Sequence, residues 1–110
     1  SNHGGRQLDG APSSIRVLPE IVAAVGGKCE IYLDGGIRSG QDVLKAVALG
    51  AKSTFIGRAF LYGLGAGGEA GVTRALQIIA KEMDITMALC GERDIKNIGA
   101  HTIYRNGLVG

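Results

Sequence analysis

Apolar residues recur at helical spacing in three stretches of this 110-residue chain and run together in two short ones. Ile15, Leu18, Ile21, Val22 and Val25 stand three and four apart, the period of a helix with one covered face. Pro12 with Ser13 or Ser14 as N-cap supplies its start, and Gly26-Gly27 its stop. Pro19 is discordant: so far inside a helix it predicts a kink or a later start. Glu30 to Leu33 is a short β-type run that stops at Asp34-Gly35-Gly36. Residues 41–49 repeat the helical pattern, with Val43, Leu44, Val47 and Ala48 on one face and Gly50 as terminator. A second short strand, Ser53 to Ile56, ends at Gly57-Arg58. Residues 69–90 form a long closing helix with Leu76, Ile79, Ala80, Met83, Met87 and Cys90 along its apolar face, and Gly91 ends it. Asp94 to Ile98 fits one further turn, and the last ten residues read as a tail.

The order helix, strand, loop, helix, strand, loop is that of βαβ units in a parallel sheet, so the fold class is α/β. Both strands run into a turn made of glycine and arginine. In α/β barrels the loops after the strand C-termini face the ligand, which places these two turns on the functional side. Two strands, with the stub of a third at Ser1, cannot close a barrel of eight. An isolated piece of this kind leaves sheet edges unpaired and is not expected to fold alone.

Composition narrows the function. Hydrophobic residues make up 45% of the chain, an ordinary globular share that argues against disorder. The net charge of +2 comes from 12 basic and 10 acidic residues mixed along the sequence. Without a basic cluster or a stacking series of aromatics, no nucleic-acid partner is expected. Nineteen glycines exceed twice the usual share of roughly 7%, and most stand where an element stops. Cys29 and Cys90 fit no metal spacing and are expected to be free thiols in a reducing compartment. No signal peptide and no membrane-spanning apolar run is visible, although the chain opens without an initiator Met.

The chemistry concentrates in three places. Ser1-Asn2-His3-Gly4-Gly5-Arg6 sets an imidazole and a guanidinium three positions apart beside paired glycines, with no apolar residue before Leu8. Glycines at 4 and 5 permit positive φ and close approach to a ligand, while a proton acceptor and a fixed cation suit a small organic acid. Asp34-Gly35-Gly36-Ile37-Arg38 and Gly57-Arg58 together make a phosphate cradle. Glycine turns expose N–H groups, the following helix N-terminus adds its positive end, and Arg38 and Arg58 supply charge-assisted bonds. Asp34 is expected to accept from a ligand hydroxyl or from an arginine that it holds in place. His101 and the three tyrosines, Tyr32, Tyr62 and Tyr104, belong to no motif and read as packing or surface groups.

Ser1-Asn2-His3-Gly4-Gly5-Arg6-Gln7-Leu8-Asp9, Leu33-Asp34-Gly35-Gly36-Ile37-Arg38-Ser39-Gly40 and Phe55-Ile56-Gly57-Arg58 resemble, in order and spacing, the FMN-dependent 2-hydroxy acid oxidases and dehydrogenases. The similarity continues through Gly68-Glu69-Ala70-Gly71-Val72 and Thr86-Met87-Ala88-Leu89. That resemblance implies the C-terminal part of one TIM (β/α)8 barrel domain over residues 1–110: the loop after strand six, strands seven and eight, and the closing helices. It implies FMN as cofactor, bound at its phosphate and ribityl chain by Asp34, Gly35, Gly36, Arg38, Gly57 and Arg58. It implies oxidation of an (S)-2-hydroxy acid to the 2-oxo acid, with His3 as base and Arg6 as carboxylate clamp. Lactate, glycolate and mandelate are all candidates, lactate ahead of the others. The family's catalytic tyrosines, flavin-ring lysine and histidine-orienting aspartate would lie upstream, so the N-terminal remainder of the barrel is an expected partner. A homotetramer, a cytoplasmic location and a peripheral contact with the inner membrane through that remainder are further expectations. The alternative is a phosphate-binding barrel piece that acts differently or not at all, since IMP dehydrogenase and the flavin-dependent isopentenyl diphosphate isomerase carry similar Asp-Gly-Gly-Ile-Arg turns.

Overall fold

The computed structural model describes residues 2–104. Helix α1 (Asn2–Gln7) and helix α2 (Ser14–Val25) precede strand β1 (Tyr32–Leu33), helix α3 (Gly40–Ala48), strand β2 (Ser53–Thr54) and the long helix α4 (Arg58–Leu89). Two 3-10 turns, Ile95–Asn97 and Ala100–Thr102, follow. The two strands are parallel, Tyr32 opposite Ser53 and Leu33 opposite Thr54. Lys52 N–H to the Ile31 carbonyl (2.7 Å) and Phe55 N–H to the Leu33 carbonyl (2.8 Å) extend the ladder at both ends. With α3 as the crossover this is the expected βαβ unit; both strands are shorter than the apolar runs that predict them. The proposed stub at Ser1 lies outside the described residues.

Helix α2 starts at Ser14 with Ser13 as N-cap and stops at Gly26, which takes the left-handed conformation (φ 56°). Pro19 neither delays nor divides it. One intrahelical hydrogen bond is forgone there, and the packing of Leu18, Ile15 and Val22 around Leu33 and Ala46 holds the helix together across the gap. Ile21, expected inside, is 45% exposed.

Helix α3 departs from its one-faced expectation. Val43 packs with Leu33, Ile37 and Ala46 toward the sheet. Leu44, Val47 and Ala48 pack with Met83, Met87 and Ile98 on the other side. The helix is covered on two sides because α4 lies against the face that the sheet leaves free. Its start carries a capping box: the Asp42 N–H donates to the Ser39 hydroxyl (3.2 Å), and the Asp42 carboxylate accepts from the Ser39 N–H (3.1 Å). Ser39→Ala is therefore expected to lower stability by about 1 kcal/mol, read as a lower urea midpoint at unchanged slope.

Helix α4 is two helical arms. Gly67 (φ −157°, ψ 23°) and Gly68 (φ 58°, ψ −140°) leave helical geometry and fold one arm on the other. At the crossing, a Cβ on Gly63 or Gly71 would overlap the other's carbonyl. The arm over residues 69–89 matches the predicted closing helix; the arm over 58–66 is not signalled by its glycine-rich sequence. The inward line of the longer arm is Ile79, Met83 and Met87, while Leu76, Ala80 and Cys90, expected on that face, are exposed. Ile79 and Ala80 are consecutive, about 100° apart round the helix, and contact with helix α3 selects the line through Met83 and Met87.

On the sheet face away from the helices, Tyr32 and Phe55 meet edge to face (centroids 6.0 Å apart) and stay 51% and 56% exposed. The Tyr32 hydroxyl donates to Glu30 (2.6 Å), and this hydrogen bond, with the carboxylate's charge, pushes the phenol above its ordinary pKa. Tyr62 and Tyr104 are exposed, as expected of surface groups. Cys29 and Cys90 are free and exposed.

Candidate active site

Leu33 is buried at the end of β1 and Ile37 is buried four residues later, so residues 34–36 must reverse the chain over one short span. Gly35 (φ 101°) and Gly36 (φ 80°) do so in conformations that side-chain-bearing residues rarely adopt. The turn is braced from both sides. The Ser14 hydroxyl donates to the Gly35 carbonyl (3.3 Å), and the Arg38 N–H donates to the Asp42 carboxylate (3.0 Å). These contacts fix the backbone and leave the Arg38 guanidinium on the exposed side.

The second turn follows β2. Gly57 is the N-cap of α4 and no side chain caps that helix; the Phe60 and Leu61 N–H groups donate to the Gly57 carbonyl (3.2 Å each), and the two N–H groups ahead of them carry no side-chain cap. Because the strands are neighbours and parallel, both turns emerge at the same end of the sheet. His3, Asp34, Gly35, Gly36, Ile37, Arg38, Phe55, Gly57 and Arg58 line one cleft of about 180 Å³ there. An adjoining hollow of about 530 Å³ is bounded by Gly5, Ser13, Ser14 and Lys45 together with both arginines. Tyr62 stands in a third hollow beside Arg38 and Arg58.

Three parts of the sequence reading change. Residues 2–7 are helical, so Gly4 and Gly5 serve no positive-φ turn; neither is among the glycines with positive φ. The short helix places His3 and Arg6 one turn apart on the same side of α1. His3 lines the cleft; Arg6 is exposed and is not among its lining residues. The second change concerns α3, whose N-terminus is not available to an anion. Its first N–H groups go to Asp42, to the Ser39 hydroxyl and, from Gly40, to the Glu82 carboxylate (2.9 Å). The uncapped helix start that borders the cleft is that of α4. Thirdly, His101 is on the surface as expected but bonds Glu92 through Nε2 (2.6 Å), a pairing no motif announces. Sequence reasoning also passed over Ser14 and Lys45; Ser14 carried a signal as a helix-start serine, whereas Lys45 carried none.

Comparison with known proteins places the chain in a family. Residues 1–105 match the family described as FMN-dependent dehydrogenase. The chain belongs to that family. Human 2-hydroxyacid oxidase 1 is 54% identical over 98% of the chain, which covers 29% of that protein. The L-lactate oxidase of Nostoc sp. is 55% identical over 94% of the chain and 28% of its own length. A mandelate oxidase mutant solved with a monooxide FMN adduct superposes with a TM-score of 0.81 at 53% identity, over 87% of this chain and 31% of that one. The chain thus spans under a third of the length of these relatives, and its structural neighbours are FMN-dependent barrel oxidoreductases.

FMN is the cofactor of this family, and the residues present fit its phosphate end. Two guanidiniums, a glycine turn and an uncapped helix start share one cleft. A Cβ at Gly36 or Gly57 would enter open space, so a ligand can approach the backbone there. Among the described residues no group of His, Cys, Asp and Glu is arranged to hold a metal ion, and no helix is long and apolar enough to cross a membrane.

Proposed function

We propose that this chain is the C-terminal segment of one (β/α)8 barrel that oxidises an (S)-2-hydroxy acid to the 2-oxo acid with FMN. The observation that carries the reading is that His3 lines the same cleft as the two glycine-arginine turns. Arg38 and Arg58 hold the phosphate, with the Gly35, Gly36 and Gly57 backbone and the start of α4 as further donors. Asp34 accepts from a ribityl hydroxyl or steadies an arginine. Arg6, one helical turn from His3, grips the substrate carboxylate through two parallel hydrogen bonds and fixes the reacting carbon. Oxidation of the alcohol releases two electrons and two protons, and His3 accepts one of the protons. Bound FMN would supply the acceptor for the two electrons and the other proton. The exposed Tyr32 and Phe55 on the open sheet face, and a sheet of two strands among the described residues, support a partner, the N-terminal remainder of the barrel. The relatives' names support a small 2-hydroxy acid as substrate, with L-lactate the first to test.

The test is the visible absorption spectrum of the full-length protein before and after anaerobic addition of L-lactate. A flavin band that bleaches is the expected result. A band that persists with lactate, glycolate and mandelate alike overturns the substrate class, and a colourless protein that takes up no added FMN overturns the cofactor site.

A further inference from the structure

The turn carrying Arg38 is continuous with the first residue of α3, and that residue is held by a side chain 42 positions away. Gly40 is buried and lies so close to α4 that a Cβ on it would overlap the backbone of Ile79, Glu82 and Met83. At this crossing the Glu82 carboxylate accepts the Gly40 N–H at 2.9 Å. The adjacent N–H groups of Arg38 and Ser39 are taken by Asp42, so two carboxylates stand at the start of α3. Asp42 acts within its own helix. Glu82 instead comes from α4, the helix that begins at Arg58. One helix therefore contributes Arg58 at its start and, in its second arm, the brace for the turn that presents Arg38.

We propose that Glu82 is a positioning residue for the flavin phosphate, setting the Arg38 turn against Arg58 through its bond to the Gly40 N–H. The proposal rests on the reading that Arg38 and Arg58 take that phosphate. Glu82 touches neither flavin nor substrate. Its removal leaves a buried N–H without an acceptor, which frees the start of α3 and the turn before it. The loss should then fall on the phosphate alone.

The experiment compares FMN with riboflavin, which lacks the phosphate, by fluorescence titration of the full-length apoprotein. Glu82→Ala is expected to raise the Kd for FMN about tenfold, with riboflavin changed less than about twofold. Glu82→Gln keeps an acceptor oxygen and should restore FMN binding. In an Arg38→Ala background Glu82→Ala should add little, since both act through one contact. Equal losses for the two flavins, additive losses with Arg38→Ala, or tighter FMN binding from relief of charge repulsion would each overturn the proposal. Should Glu82→Ala not fold, Glu82→Asp, one methylene too short, must show the same preference for weakening FMN. If Arg38→Ala and Arg58→Ala themselves weaken both flavins equally, the phosphate reading fails and the positioning role falls with it. If those variants discriminate and Glu82 variants do not, the positioning role alone is rejected.

Discussion

Replacing His3 with glutamine is expected to reduce turnover of a 2-hydroxy acid by about 10²- to 10⁴-fold while FMN stays bound, the range set by loss of a positioned base. Glutamine keeps a hydrogen-bonding side chain of similar reach but cannot accept the proton at the operating pH. Because His3 lines the cleft from α1, an exposed helix that supplies none of the core clusters, its replacement should leave the fold intact. Thermal unfolding of the variant is then unchanged, and the loss is chemical. Anaerobic single-turnover reduction of the flavin measures it directly. A rate within tenfold of the unsubstituted protein, with flavin fully loaded, removes His3 from the role of base. Arg6 provides the contrast: removal of a carboxylate clamp acts on substrate binding and should raise KM as well as lower kcat.

The second large effect is structural. Gly40→Ala places a methyl group against the Met83 nitrogen, the Ile79 oxygen and the Glu82 carbonyl carbon, all backbone atoms that cannot turn aside. Helices α3 and α4 must separate, which opens the cluster of Leu44, Ala48, Met87 and Ile98 between them. A loss of about 3 kcal/mol is expected, at the upper end for overpacking, seen as a lower urea midpoint. Gly65 is the control, since it is also helical, needs no positive φ, and a Cβ on it meets nothing. Gly65→Ala should be neutral or stabilising by about 0.5–1 kcal/mol. Equal stabilities for the two alanine variants would show that α3 and α4 do not meet at Gly40.

Local signals account for much of the outcome. The proline-serine start and Gly26 stop of α2 are read correctly because caps act within a few residues of chain. The turn after β1 is legible for the same reason: two glycines between a buried Leu33 and a buried Ile37 leave little other choice. The capping box of α3 was also within reach, as Ser39 stands three residues before Asp42. The arm over 58–66 was not, because Gly63 and Gly65 within it, with Gly67-Gly68 directly after, read as turn rather than helix. It holds its form by crossing the second arm, where Gly63 and Gly71 approach too closely for any side chain.

The candidate site divides along the same line. Sequence alone determined the residue types and the order of the motifs: an imidazole and a guanidinium three apart, then two glycine-arginine turns after strands. These are short-range patterns, and their chemistry travels with the side chains. Only the tertiary structure decided which groups share a cleft. It placed His3 beside Asp34 and both arginines, and left Arg6 outside the lining. It bonded the start of α3 to Glu82, 42 residues further along the chain, and left the start of α4 without a side-chain cap. Such pairings depend on how helices cross. Crossings are set by packing between residues far apart in the chain, which no local pattern of apolar and polar positions encodes.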